Sequence, residues 1–173
     1  MTRASAIAPA LPLMRIVRPT KSTLELDMLK VKPGEKVLPQ ALRADLIAPC
    51  GMNCGLCMRY LRDKNACAGC RMGDESKSKS CLACAIRRCE TPRSNTSGFC
   101  FECDAFPCAR LRRLDIRYRT KYRMSMLENL EFIRDSGMDA FIKSERDLWN
   151  CPECGGMQCV HTDACIYCGH EWG

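Results

Sequence analysis

The chain has 173 residues, 27 of them basic and 20 acidic, for a formal net charge of +7, with 16 cysteines and only 6% aromatic residues. That length allows one or two small domains, and pieces with so thin an aromatic core rarely hold themselves together below about 70 residues without staples. No apolar stretch approaches a transmembrane span, so no membrane association is expected.

Residues 1–20 are rich in Ala, Pro and Arg and read as a flexible tail. Arg3 ahead of the apolar run 6–14 imitates a signal peptide. Pro9 and Pro12 interrupt that run, however, Arg15 and Arg18 close it, and no small-residue cleavage site follows. A reducing cytoplasm is the expected setting. Ser22 and Glu25 have capping-box spacing. Leu24, Leu26 and Val31 beside Pro33 and Gly34 read instead as a short hairpin. The expectation over 21–40 is a small extended element, and residues 1–44 as a whole form an N-terminal extension.

The cysteine-rich domain is expected over 45–148. It opens with Cys50, Cys54 and Cys57, then Cys67 and Cys70, then Cys81, Cys84 and Cys89, then Cys100, Cys103 and Cys108. Segments 74–80 and 91–98 are polar and read as loops. A helical turn through Met58, Tyr60 and Leu61 follows the first knuckle. From Pro107 the pattern turns helical. Leu111, Leu114 and Tyr118 recur at i, i+3, i+7, and Tyr122 continues the face. A second helix starts at Ser125, which forms a capping box with Glu128, and stops at Gly137. A third runs over about 138–148 with Phe141, Ile142 and Leu148 inward. Residues 149–173 return to cysteine. Cys151 and Cys154, then Cys165 and Cys168, are two C-x2-C knuckles, each followed by glycine (Gly155, Gly169), which predicts a zinc ribbon.

Thiols two apart in repeated pairs point to metal, because that spacing turns both sulfurs toward one tetrahedral ion. Secreted disulfide frameworks have looser spacings. Cys54, Cys57, Cys67 and Cys70 make the simplest first site. Cys84, Cys100 and Cys103 belong to a second, whose fourth ligand is Cys81 or Cys89. The triplet 81/84/89 recurs at 100/103/108, an internal repeat of 19 residues that suggests two half-sites facing each other. The block holds 11 cysteines, so spare thiols remain, Cys50 and Cys108 among them. They are buried, bridge metals, or leave one metal with an open position, which is what separates catalytic from structural zinc. Cys159 and His161 are spare in the ribbon.

Zinc in about three sites is therefore the expected cofactor. A zinc ion with four thiolates carries about −2 of local charge, so three such sites would cancel most of the +7. The alternative is an iron–sulfur cluster, which also takes four thiolates. Cys50, Cys54 and Cys57 have the C-x3-C-x2-C spacing that resembles radical S-adenosylmethionine enzymes, but further knuckles follow where those enzymes need a large barrel. A reactive C-x-x-C dithiol finds no thioredoxin-like βαβ pattern around it. No acid–base dyad, glycine-rich phosphate loop, nucleophile elbow or HExxH motif is present.

The first long helix carries Arg110, Arg112, Arg113, Arg117 and Arg119 with Tyr118 and Tyr122 interleaved. Such a face attracts phosphate backbones. It also suits neutralisation of anionic zinc–thiolate centres beside it, or simple solvation. The expected partners are protein or nucleic acid.

The segments Ile47-Ala-Pro-Cys50-Gly-Met-Asn-Cys54-Gly-Leu-Cys57, Cys67-Ala-Gly-Cys70-Arg, Cys84-Ala-Ile-Arg-Arg-Cys89 and Phe99-Cys100-Phe-Glu-Cys103-Asp-Ala-Phe-Pro-Cys108 resemble the cysteine-rich domain-of-unknown-function family 3795, over about 45–135. The resemblance implies a small bacterial or archaeal domain regarded as zinc-binding, without an established activity. It also implies Cys89 as the fourth ligand of the second site, leaving Cys81 as an extra. The fold expected is small α+β and metal-stapled: a zinc-knuckle domain, two to three helices and a C-terminal zinc ribbon. The function expected is a zinc-binding interaction or regulatory module, the alternative being an iron–sulfur or open-site metal enzyme or redox protein.

Overall fold

The computed structural model describes residues 36–171. The tail over 1–20 and most of the 21–40 element lie outside the described residues. The described chain is mostly helical. Its α-helices are α1 (Met58–Leu61), α2 (Lys79–Leu82), α3 (Thr91–Ser94), α4 (Ala109–Tyr122), α5 (Met126–Ser136) and α6 (Met138–Leu148). Short 3-10 turns at Pro39–Ala41, Ala44–Leu46, Cys54–Leu56 and Cys100–Glu102 fill the cysteine block.

The β part of the expected α+β fold reduces, among the described residues, to three isolated antiparallel bridges: Ile47 with Asn53, Asn150 with Met157, and Ala164 with Glu171. The reason is local. Each bridge closes a tight loop around a cysteine, and no β-branched run is long enough to extend it. The polar segments 74–80 and 91–98, expected as loops, each give residues to a one-turn helix, α2 and α3. Ser78 caps α2 by accepting from the Cys81 amide, and Pro92 sits in the first turn of α3, where its missing N–H costs nothing.

The three long helices form as their sequence dictates. Ser125 Oγ accepts from the Glu128 amide at 3.1 Å, the expected cap of α5. Asp115, buried on α4, adds to that cap: its Oδ1 accepts from Ser125 Oγ at 2.8 Å and from the Leu127 amide at 3.1 Å. Gly137, at φ +85, ends α5 and begins α6. Leu111, Met126, Leu130, Ile133, Phe141 and Ile142 turn inward, whereas Leu148 is 66% exposed, contrary to expectation. Leu148 is the last residue of α6, and at that point the inward place is taken by Trp149, which is buried.

α5 packs between α4 and α6 and also meets the Cys100–Glu102 turn, while α6 packs on the 3-10 turns before Ile47. Leu42, Leu46, Ile47, Leu56, Leu111, Leu130, Met157 and Val160 share one core. The C-terminal segment is part of it. Met157 N donates to Val37 O at 2.6 Å and Val160 N to Leu56 O at 2.9 Å. No described helix is long and apolar enough to cross a membrane.

Candidate metal centres

The ribbon site is built from two equivalent loops. Gly155 N donates to Cys151 O at 2.8 Å, and Gly169 N to Cys165 O at 2.9 Å. Both glycines have positive φ, +67 and +76, which a side chain would resist. Cys151 N donates to Gly156 O and Cys165 N to His170 O, closing each loop from the other side. The Sγ atoms of Cys151, Cys154, Cys165 and Cys168 all lie within 4.8 Å of one another. Cys151 and Cys168 sulfurs are 3.6 Å apart, those of Cys154 and Cys165 3.7 Å. A disulfide would be about 2.05 Å, and all 16 cysteines are free. A tetrahedral ion with about 2.3 Å metal–sulfur bonds puts its sulfurs about 3.8 Å apart, so the donor set fits one ion.

The thiols divide protons unevenly. Cys168 is pushed up to about 12: the His170 amide favours its thiolate, but burial and the thiols of Cys154, Cys151 and Cys165 oppose it more strongly. Cys154 is brought down to about 7. Burial opposes this, but the Gly156 amide and the same three neighbours favour the thiolate. Four thiolates this close repel one another, and a bound cation removes that repulsion.

The N-terminal block is assembled differently. Three C-x2-C units close alike, the second amide donating to the first carbonyl: Cys57 to Cys54 at 3.0 Å, Cys84 to Cys81 at 3.2 Å, Cys103 to Cys100 at 3.1 Å. Cys100 N donates to Pro49 O at 2.9 Å and brings the last triplet beside Cys50. Among the described residues, no three thiols outside the ribbon come within 4.8 Å of one another.

Cys54, Cys57, Cys67 and Cys70 do not come that close as a set. Cys54 pairs with Cys70, whose amide donates to Cys54 Sγ at 3.3 Å. The hydrogen bond between these two thiols holds Cys54 above its usual range and brings Cys70 down to about 7, aided there by Lys77, Arg87 and Arg71. Burial pushes Cys50 up to about 12, against the Met52 amide, and the thiols of Cys70, Cys100 and Cys84 add to the rise. Burial pushes Cys57 up to about 11, and the thiols of Cys159 and Cys81 add to this. The Cys67 amide donates to Arg59 O.

The cations beside these thiols are Arg71, Lys77 and Arg87, which the sequence pattern did not single out. Arg71 stacks over Phe99 at 4.5 Å and donates to Ile47 O at 2.6 Å and Gly98 O at 2.9 Å. Lys77 is buried, with Nζ on the carbonyls of Met72 and Gly73. Arg87 Nε donates to Cys70 O, and its guanidinium pairs with Asp74. Their signal was adjacency to cysteine: Arg71 follows Cys70 directly, and Arg87 lies between Cys84 and Cys89.

Cys89, Cys100, Cys103 and Cys108 line a single cavity beneath the start of α4. The second site as the resemblance completes it, 84/89/100/103, thus meets a wall in which Cys108 stands and Cys84 does not. Cys159 and His161 join neither cysteine set. Cys159 Sγ accepts from the His161 amide at 3.4 Å. His161 Nδ1 accepts from the Met58 amide at 3.4 Å, so Nε2 carries the proton and donates to Tyr118 Oη at 3.2 Å. Burial and Arg117 hold this imidazole below its usual pKa. It is a neutral strut between the ribbon loop, α1 and α4.

On α4, Arg110, Arg112, Arg113, Arg117 and Arg119 are all exposed. Arg119 pairs with Glu128 and with Asp115 at 3.6 Å. Arg112 Nε donates to Pro107 O at 2.8 Å and Arg113 Nε to Ala109 O at 3.3 Å.

No curated protein and no solved structure matches the chain. The family model described as "Protein of unknown function (DUF3795)" matches residues 46–113. Its span ends inside α4, short of the 135 expected, and leaves α5, α6 and the ribbon outside. The knuckled segment 46–113 is thus similar to the DUF3795 family, and the chain joins to it two further helices and a four-cysteine group that fits a metal ion.

Proposed function

We propose that the protein is a zinc-binding interaction module. Metal at the ribbon secures the C-terminal segment against the core, and the exposed arginine face of α4 receives an anionic partner, protein or nucleic acid. The ribbon sulfurs carry this reading. Four thiols supplied by the chain itself, all within 4.8 Å, complete a tetrahedral shell with no position left for substrate. Such a closed site is structural. Zinc suits four thiolates, a tetrahedron and a reducing setting. The arginine face narrows to Arg110, Arg113 and Arg117, which recur at i, i+3, i+7, since Arg119 is engaged by Glu128 and Asp115.

Elemental analysis with an optical spectrum on anaerobically prepared protein tests the metal. The expected result includes one zinc that is absent from Cys154→Ala. Zinc retained in that variant would overturn the site. The partner is tested by anisotropy with a duplex oligonucleotide across a salt series. Arg110→Glu, Arg113→Glu and Arg117→Glu together are expected to flatten the log-affinity slope by about 0.9 for each phosphate no longer neutralised. Equal slopes for variant and parent would remove the nucleic-acid version and leave an acidic protein surface as the partner. A second reading, iron–sulfur chemistry in the N-terminal block, draws support from the cysteine-lined cavity.

A further inference from the structure

The cavity under α4 has a volume of about 40 Å³ and takes its lining from Cys89, Cys100, Cys103 and Cys108. Ile86, Phe106 and Leu111 supply apolar wall as well. The four thiols come from three separate pieces of local structure. Cys89 follows the turn after Cys84, Cys100 and Cys103 bracket a 3-10 turn, and Cys108 is the N-cap residue of α4. That they meet around one space is a tertiary fact which sequence spacing does not impose.

The width of the set separates it from the ribbon. No three of these sulfurs lie within 4.8 Å, whereas the ribbon sulfurs sit at the spacing of a single ion. A cluster that gives each thiolate its own iron needs the wider arrangement, with inorganic sulfide filling the middle. Its surroundings suit an anionic centre. The N-terminal end of the 14-residue α4 lies at the cavity, and Arg110 from its first turn lines it. The apolar wall limits water, which favours retention of a cluster.

We propose that Cys89, Cys100, Cys103 and Cys108 hold an iron–sulfur cluster in this cavity. The proposal rests on the second reading above, that thiols of the N-terminal block bind iron. It is independent of zinc at the ribbon, so the two fail separately.

The test is anaerobic reconstitution of the full chain with ferrous iron and sulfide, followed by iron, sulfide and zinc analysis and a visible spectrum. The expected result is about four irons and four sulfides per chain with the broad thiolate-to-iron charge-transfer band, beside one zinc. Cys103→Ala with Cys108→Ala should abolish the band and keep the ribbon zinc. Cys154→Ala with Cys168→Ala should lose the zinc and keep the band. Fewer than two irons in the parent chain would overturn the cluster whatever the variants do. So would a second zinc in the parent that disappears in Cys103→Ala/Cys108→Ala without a visible band, which would make the cavity a single-ion site. A band that survives Cys103→Ala/Cys108→Ala would overturn the ligand assignment.

Discussion

Gly51 is where the first knuckle touches the helices, and its replacement by alanine gives a sharp measure of that junction. The residue has φ +84, and a Cβ there would meet Met126 O at 2.7 Å, Leu130 Cγ at 2.9 Å and Asn129 Cβ at 3.3 Å. The nearest atom is backbone at the start of α5, and Leu130 is fully buried, so neither yields by a simple rotation. Gly51 O also accepts from Asn129 Nδ2 at 2.9 Å, which holds the two parts in register. Left-handed backbone strain costs about 1–2 kcal/mol for a residue with a side chain, and overpacking adds about 1–3 kcal/mol. Gly51→Ala should therefore destabilise by about 2–5 kcal/mol. Gly169→Ala is the comparison, because Gly169 has φ +76 with nothing within 4 Å. It should cost only the strain, about 1–2 kcal/mol. Urea unfolding followed by circular dichroism, at one fixed free-zinc concentration, reads the difference. If the two variants unfold within about 0.5 kcal/mol of each other, the knuckle does not pack on α5 as described.

The remaining predictions concern buried polar groups. Burial holds the Glu145 carboxyl above the ordinary carboxylate range, opposed by the 2.8 Å hydrogen bond from Asn53 Nδ2. A raised acid favours the folded state fully below the unfolded pKa and loses that advantage as pH rises through the folded value. Glu145→Gln keeps an acceptor for Asn53 and should flatten the fall of Tm with rising pH; a profile parallel to the parent's would refute this. Asp115→Ala strips partners from Ser125 and Leu127 and should cost about 2–4 kcal/mol in urea unfolding, against about 1 kcal/mol for Ser125→Ala. Equal costs would mean that Asp115 adds nothing to the cap. His161→Ala should leave the zinc content unchanged, because both ring nitrogens are engaged by Met58 and Tyr118. Loss of a zinc on elemental analysis would make His161 a ligand.

How much was legible before the chain folded depends on the distance over which each feature acts. The cap of α5 needs only Ser125 and Glu128, three residues apart, and the ribbon loops need only a cysteine pair and the glycine after it. The Ser125 cap and the glycine amides on Cys151 O and Cys165 O form as read because those hydrogen bonds close within four residues. The inward place assigned to Leu148 failed for the complementary reason. Helical periodicity extends inward spacing to the end of α6, where the neighbouring Trp149 fills the core instead.

The local pieces follow from short stretches of sequence: C-x2-C turns, three long helices with Ser125 capping α5, and two matched C-terminal loops. Repeated thiol pairs in a chain with little aromatic core also point to metal as the chemistry that suits them. Only the tertiary structure decided which thiols meet. Eleven chemically equivalent sulfurs in the N-terminal block permit many partitions. The choice among them is made by hydrogen bonds remote in sequence, such as Cys100 N on Pro49 O, Val160 N on Leu56 O and Asn53 on Glu145. In the folded chain Cys54 meets Cys70, and Cys108 rather than Cys84 lines the cavity under α4.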